Sequence, residues 1–314
     1  MIIAAKAAIS SAEEVVRLAI TESGAAYVNY SYDGVTWTRS PQIVSGGSMG
    51  AAGYFDNNWI FGTRYNSSSN ERGEIWTTQD FSSFTKQTSP FENIYGGLED
   101  FTSDNSTALM VGYRGPSDFK TGACYATVYD TWTSQATGLT GTTIAQCATT
   151  NGSGTWLLGT EGSSGSNCYS STDLTSGFTS RTVGFNNIKG VATDGTTWIA
   201  AGASGNLRSS TNLSTWTSRT SQFSTSSIES ACYGNGLFVI VGASGKISTS
   251  PDGTTWTART SGVATSLYGV EWSQALGKFF ACGASGKVLS SSDGITWSST
   301  TTPVAATLWN VGVR

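Results

Sequence analysis

The sequence predicts an all-β fold: a seven-bladed β-propeller of four-stranded blades, with the ring closed by a C-terminal strand that pairs with the N-terminal blade. A short phrase ending in an aromatic residue recurs seven times along the 314 residues, at successive gaps of 38 to 48 residues. The composition, with 38 Gly, 11 Trp, 12 Tyr and 13 Phe, is typical of many short strands joined by tight turns. A period of this length, with several strands in each unit, indicates a propeller.

The repeating unit is clearest in residues 267–300, where the segments YGVEWS, KFFACG, KVLSS and ITWSS predict four strands. The string GASG begins at residues 202, 242 and 283, each time between the second and third predicted strands. Its glycines suit a tight turn with positive φ. The aromatic residues that close the seven units are Trp37, Phe84, Trp132, Phe178, Trp216, Trp256 and Trp297.

The phrase before each closing aromatic is predicted to be the hairpin between the third and fourth strands. Three copies, at 31–37, 250–256 and 291–297, share the pattern S-x-D-G-x-T-W, and Asn212 replaces the Asp in a fourth. The Asp accepts backbone N–H groups across its own turn, the Gly takes the left-handed conformation, and the Trp packs between blades. These structural residues are Ser31, Asp33, Gly34, Trp37, Ser250, Asp252, Gly253, Trp256, Ser291, Asp293, Gly294 and Trp297.

This phrase resembles the Asp box, also called the bacterial neuraminidase repeat of sialidase-like propellers. The resemblance is strong in three units and degenerate in four. In that family the box is a fold element remote from the active face, which implies a structural role for its carboxylates and no metal site. The repeats also resemble propellers encoded among the structural genes of tailed phages.

The two chain ends are predicted to share one blade. The last residues, ATLWNVGVR, match the first strand of a unit, but no second strand follows them. The missing strands occur at the N-terminus, so residues 308–313 are expected to form the innermost strand of the first blade. Residues 12–314 then form a single propeller. Residues 1–11 are left as an N-terminal arm, either a helix or a competing strand, that could serve for attachment.

The composition argues against several classes of protein. A net charge of -4 gives no sign of a nucleic-acid-binding face, no apolar run is long enough to span a membrane, and the N-terminus does not resemble a secretory signal. The chain has no His, which excludes Ser-His-Asp chemistry and His-bearing metal sites. It carries no phosphate-binding or dinucleotide motif, so no cofactor is expected.

The five Cys (Cys124, Cys147, Cys168, Cys232 and Cys282) are expected to be free, buried thiols, with one disulfide as the alternative.

Candidate binding residues lie in unequal loops between the second and third strands. Three of these loops, at 62–74, 112–122 and 159–167, are longer than GASG, and long loops on a rigid frame often carry binding sites. Their aromatic, Arg and carboxylate side chains suit a sugar surface, and the alternative is that they are ordinary solvated loops. The candidates are Arg64, Tyr65, Glu71, Arg72, Tyr113, Arg114, Asp118, Lys120 and Glu161, with Phe91, Glu92 and Tyr95 on an adjacent connection.

A second set of basic residues falls on the predicted outermost strands. These residues either protect exposed strand edges from aggregation or form a basic rim for an acidic partner. They are Arg39, Lys86, Arg181, Arg219 and Arg259.

The sialidase resemblance implies three Arg around a carboxylate, a Tyr nucleophile paired with Glu, and an acidic Asp. The family's early Arg motif is missing, since the nearest strings, TRYN and GYRGP, do not match it. We therefore expect no enzyme.

The resemblance to phage propellers implies a non-enzymatic virion structural protein of a tailed bacteriophage, either a receptor-binding, tail-fibre type of propeller or a decoration propeller. Such a protein would be assembled in the host cytoplasm. It would contact other virion proteins through the N-terminal arm or outer edges and, as a receptor-binding module, a cell-surface glycan. The alternatives are a sialidase-like glycoside hydrolase and an assembly factor resembling the photosystem II assembly propellers.

Overall fold

The computed structural model describes residues 15–24, 26–44, 47–64, 73–91, 96–114, 120–135, 144–162 and 168–314. They form seven antiparallel sheets of four strands each, the blades of a propeller. The predicted N-terminal arm, residues 1–11, lies outside the described residues.

The strands follow one another along the chain in the predicted order. Blades 1 and 2 contain β1 (Leu18–Glu22), β2 (Val28–Ser31), β3 (Thr38–Arg39), β4 (Ser48–Phe55), β5 (Asn58–Arg64), β6 (Ile75–Thr78) and β7 (Thr85–Gln87). Blades 3 and 4 contain β8 (Gly96–Ser103), β9 (Ala108–Arg114), β10 (Lys120–Val128), β11 (Thr131–Gln135), β12 (Ile144–Thr150), β13 (Trp156–Glu161), β14 (Cys168–Ser171) and β15 (Thr179–Arg181). Blades 5 and 6 contain β16 (Ile188–Thr193), β17 (Trp198–Gly202), β18 (Leu207–Ser210), β19 (Thr217–Ser218), β20 (Ile228–Gly234), β21 (Leu237–Gly242), β22 (Ile247–Ser250) and β23 (Thr257–Arg259). Blade 7 contains β24 (Leu267–Ser273), β25 (Lys278–Gly283), β26 (Lys287–Ser291) and β27 (Ser298–Thr301), and the last strand is β28 (Leu308–Val313).

The C-terminal strand closes the ring, as predicted. β28 is the innermost strand of blade 1 and pairs antiparallel with β1, with Leu18 opposite Val313 and Ile20 opposite Val311. Leu308 and Val311 are buried in a core that includes residues of blade 7. The two ends of the chain therefore hold one blade together, and its neighbours pack on both parts.

The GASG turns are one-turn 3-10 helices at Ala203–Gly205, Ala243–Gly245 and Ala284–Gly286. The two glycines of each turn are required for different structural reasons. Gly205 has φ +68, as expected, but Gly202 is extended at φ 179. Gly202 is needed for close approach, because a Cβ there would lie 2.0 Å from the carbonyl oxygen of Asn187. The expected positive φ therefore applies to the second glycine only.

The hairpins between the third and fourth strands have the predicted hydrogen bonds. Asp33 Oδ1 accepts the N–H groups of Val35 and Thr36 at 2.8 and 2.7 Å, and Ser31 Oγ accepts the N–H of Gly34 at 2.9 Å. These bonds hold the pKa of the Asp33 carboxyl below its usual value, against the opposing effect of burial. Asp33 is therefore saturated by its own turn.

The hydrophobic cores lie between adjacent blades. Trp256 packs with Ile199 of blade 5 and Phe238 of blade 6 in one such cluster. All five cysteines are free and buried, which confirms the sequence-based expectation. In the described part of the chain, no helix is long and apolar enough to cross a membrane.

Candidate functional site at the mouth of the central channel

The seven innermost strands surround a central channel, and each carries one irregularity at an equivalent position. In every blade the ladder between the innermost and second strands shifts register by one residue close to the start of the innermost strand. Bulges of this kind redirect a side chain and are common next to binding sites. The residues at these positions, here called the mouth ring, are Trp309, Gly50, Glu99, Gln146, Lys189, Glu229 and Tyr268, and all seven line the channel.

The ring lies on the face of the propeller that also carries the GASG turns, here called the loop face. The turns join the second and third strands there, and the connections from one blade to the next enter the innermost strands on the same side. The phrases around Asp33, Asp252 and Asp293 lie on the opposite face, here called the hairpin face. This separation follows from the alternating direction of four antiparallel strands.

Arg64 fills the place in the ring that Gly50 leaves open. A Cβ on Gly50 would lie 2.5 Å from the Arg64 Cγ and 2.1 Å from the carbonyl oxygen of Leu98. The glycine therefore lets the Arg64 side chain cross the innermost strand and reach the channel. There its guanidinium pairs with Glu99 and lies 4.6 Å from the centre of the Trp309 ring.

Two pairs of neighbouring ring side chains contact each other, in addition to the contacts that Arg64 makes. Lys189 Nζ lies 2.8 Å from Glu229 Oε2, and the Tyr268 and Trp309 rings are 4.6 Å apart at an angle of 47°. The ring thus presents two ion pairs and one aromatic pair. Both kinds of group recognise peptides and other polar chains.

Asp100, directly after Glu99, ties three blades together below the ring. Its Oδ2 accepts the Ala148 N–H of blade 4 at 2.8 Å, and its Oδ1 accepts the Asn310 side-chain amide of blade 1 and the Phe101 N–H, each at 2.9 Å. Burial raises the pKa of the Asp100 carboxyl to about 6, against the opposing effect of these hydrogen bonds. Asp100 is thus held in one orientation in the channel.

Glu271, on β24, is a second carboxyl in the channel. Burial raises its pKa to about 8, and the charge of Asp100 adds to the increase, whereas the Trp272 N–H opposes it. No other hydrogen bond to this side chain occurs among the described residues. The channel therefore holds a carboxyl with open acceptor positions.

The residues predicted to bind a ligand are placed differently from one another. Arg64 lies at the channel mouth, whereas Phe91 is 2% exposed and packs in the core between blades 2 and 3. Tyr113 lies on β9 opposite Gly97, and Glu161 ends β13 opposite Ile144, both half-buried at the loop face. Among the predicted binding residues whose side chains the structure describes, Arg64 alone approaches the mouth ring.

The remaining predicted residues fall in or beside segments that the structure does not describe. Arg114 and Lys120 pair through their backbones at the ends of β9 and β10. The others, Tyr65, Glu71, Arg72, Glu92, Tyr95 and Asp118, lie outside the described residues. Their role in binding stays a prediction.

The basic residues of the outermost strands are anchored to their own blades. Arg181, Arg219 and Arg259 each donate from Nε to a hydroxyl on the third strand, at 2.7 to 2.8 Å. Arg39 pairs with Glu22, and Lys86 pairs with Glu74. These contacts give each of the five side chains a local structural partner.

None of the seven mouth-ring residues was predicted from the sequence; Arg64, which reaches the ring from the end of β5, was. One signal was present, since aligning the first strands of the units places Lys189, Glu229, Tyr268 and Trp309 in one column, each directly after Ile or Leu. A column of unlike polar and aromatic residues in an otherwise apolar strand indicates a surface that faces a ligand rather than a core.

Comparisons with known proteins show the fold alone. No protein-family model matches the chain, and no curated protein matches it. Among solved structures, YCF48 bound to D1 peptide is similar with a TM-score of 0.56 and 11% identity, over 81% of each chain. YCF48 from Cyanidioschyzon merolae has a TM-score of 0.61 and 14% identity, over 87% of this chain and 92% of that one. The WD40 propeller domain of Doa1 has a TM-score of 0.63 and 13% identity, over 94% of this chain and 89% of that one.

These comparisons correct the functional expectation. The expectation of a bacteriophage virion protein is wrong, because the similar structures are YCF48 and Doa1 rather than phage structural proteins. The virion partners and virion location depended on that expectation. The repeats predicted the ring of blades, but the phage assignment rested on their resemblance to phage-encoded propellers and on a Gly-rich composition with few charges, neither of which identifies a binding residue.

Proposed function

We propose that this protein is a non-enzymatic binding propeller of the assembly-factor type, which holds a segment of another protein at the mouth ring. The observation that carries the proposal is the ring itself. Five of the seven bulge residues, together with Arg64 at the end of β5, form two ion pairs and an aromatic pair at one opening on the loop face. A site on paired strands holds its groups in fixed positions, which favours recognition.

The size of the channel favours a segment over a folded partner. The cavity below the ring has a volume of about 260 Å³, which is smaller than the roughly 300–1,000 Å³ typical of pockets for drug-sized ligands. A globular surface cannot enter such an opening. A side chain or a short extended segment can, with the rest of the segment lying across the ring.

The comparisons support this class of function by analogy. One structure with the same fold is YCF48 bound to D1 peptide, so a propeller of this size can hold a peptide. The likeness is one of fold, and it gives this chain neither that peptide nor that setting.

Two finer assignments belong to the same proposal. The first is that the S-x-D-G-x-T-W hairpins are Asp boxes, which the turn bonds of Asp33 and Asp252 support. The second is the absence of catalysis. Hydrolysis assays with fluorogenic sugars test it, and turnover that depends on Arg64 would contradict it.

Selection from a yeast-displayed library of random 12-residue peptides tests the proposal. The selected peptides are expected to lose at least tenfold in affinity for the Trp309→Ala protein. They should bind the Ile295→Ala protein normally, because Ile295 is exposed on the hairpin face. Lys189→Met serves as a second ring variant if Trp309→Ala fails to fold. Equal affinity for the ring variants and the control, or selection of no peptide at all, would contradict the proposal. Specific binding of the protein to a glycan array, with no peptide selected, would favour a sugar-binding function instead.

A further inference from the structure

The charges in the channel do not balance. Its lining contains four carboxyl groups, from Glu99, Asp100, Glu229 and Glu271, but two basic side chains, Arg64 and Lys189. Arg64 pairs with Glu99, and Lys189 pairs with Glu229. Among the described residues, no basic side chain pairs with either of the other two carboxyls.

The two carboxyls without a counter-charge differ in what they can still bind. Asp100 is held by three N–H donors. Glu271 has one N–H neighbour, from Trp272, whereas an ionised carboxylate offers about four acceptor positions. A fixed carboxylate and a nearby carboxylate with open positions form a site that favours a donor carrying positive charge.

We propose that the channel takes a single basic side chain of the bound segment, the ammonium of a lysine or the guanidinium of an arginine, with Asp100 and Glu271 as its counter-charges. This inference rests on the proposed function and specifies the kind of segment that is held. The cation would offset the cost of burying two carboxylates, which is high when they are unpaired.

The path into the channel suits an organic cation. Tyr268 and Trp309 stand side by side in the ring, and aromatic faces attract ammonium and guanidinium groups. The cavity of about 260 Å³ has room for one such side chain and is small for a complete drug-sized ligand. A metal ion fits less well, since the described residues contain no group of three or more Asp, Glu, Cys or His side chains that could hold one.

A small probe tests the cation site without a peptide. We expect n-butylammonium, measured by titration calorimetry at pH 9, to bind one site in the millimolar range, and n-butanol and butyrate to bind at least tenfold more weakly. The Glu271→Gln protein should lose at least tenfold in affinity for n-butylammonium. Glu74→Gln, which removes the same charge outside the channel, should leave the affinity unchanged. Equal binding of n-butylammonium and n-butanol, or no effect of Glu271→Gln, would overturn the inference.

The selected peptides separate this inference from the proposed function. Replacing the basic residue of a ring-binding peptide by norleucine should lower its affinity at least tenfold for the natural protein, and less than threefold for the Glu271→Gln protein. If ring-dependent peptides bind equally well without a basic residue, the inference fails and the proposed function stands. If n-butylammonium binds as expected but no peptide does, the proposed function fails and the cation site stands.

Discussion

The hairpin face and the mouth ring are built by the same seven repeats, yet their residues behave in opposite ways. On the hairpin face, Asp33, Asp252 and Asp293 each accept two N–H groups of their own turn, and Asn212 does the same in blade 5. At the mouth ring, seven equivalent bulges carry six different residue types, with Glu alone occurring twice. Where the backbone needs a particular partner, the repeats stay alike, and where the side chain faces the channel, they differ.

Deleting residues 306–314 should have the largest effect. It removes Trp309 from the mouth ring and the innermost strand from blade 1, but it leaves every hairpin in place. Buried Leu308 and Val311 alone are worth about 1.5–3 kcal/mol each, and the strand pairing with β1 is lost as well. We expect cooperative thermal unfolding to be lost or the Tm to fall by more than about 10 °C. Deleting Arg314 alone is the control, and an unchanged Tm in the longer deletion would contradict the closure.

Gly34→Val should destabilise the fold next most strongly. Gly34 has φ +74, and a Cβ there would lie 2.4 Å from the Phe280 ring of blade 7, so the variant adds a clash to the strain. We expect a loss of about 2–4 kcal/mol in urea unfolding. Gly24→Val is the matched control, because Gly24 has φ +76 with open space around it, so it measures the conformational strain by itself. Equal losses in the two variants would show that the contact between blades is unimportant.

Glu271→Gln should stabilise the protein at alkaline pH. The pKa of Glu271 is about 8 in the folded chain and near 4.5 when unfolded, so the folded state holds this proton more tightly. The stabilisation from the protonated form is complete below pH 4.5 and is lost as the pH rises through 8. Each unit of pKa difference corresponds to about 1.4 kcal/mol, so the difference between about 8 and 4.5 predicts a gain on the order of 5 kcal/mol at pH 9, with little change at pH 4.5. A pH-independent difference between the two proteins in urea unfolding would contradict this.

Asp252→Ala should cost the least, about 1 kcal/mol, because it removes the acceptor for two N–H groups at the exposed hairpin face. Asp252→Asn should be nearly neutral, since Asn212 already fills the equivalent place in blade 5. Neither change should alter peptide affinity at the ring. Urea unfolding and calorimetry on the same samples check both statements, and a loss of affinity in Asp252→Ala would mean that the two faces are coupled.

The repeats were enough to predict the blades but not the ring. The GASG turns and the closing strand at 308–313 follow from the repeated pattern, because each blade must bury the same apolar positions. The ring depends on a one-residue register shift, which alternation of apolar and polar residues cannot reveal. Lys189 and Glu229 therefore read as ordinary polar residues in otherwise apolar strands, and Gly50 gives no hint that Arg64 crosses it. The loop residues were predicted because their loops are long. Loop length is weaker evidence for a binding site than an equivalent position in all seven blades.

The measurement that tests the central claim most directly is photo-crosslinking from the two faces. Benzoylphenylalanine is placed at Tyr268, in the mouth ring, and separately at Ile295, on the hairpin face, in cells that make this protein. We expect one defined protein adduct from position 268, mapped by mass spectrometry to an extended segment of its partner, and no such adduct from position 295. Adducts from position 295 with none from position 268 would show that binding takes place away from the mouth ring.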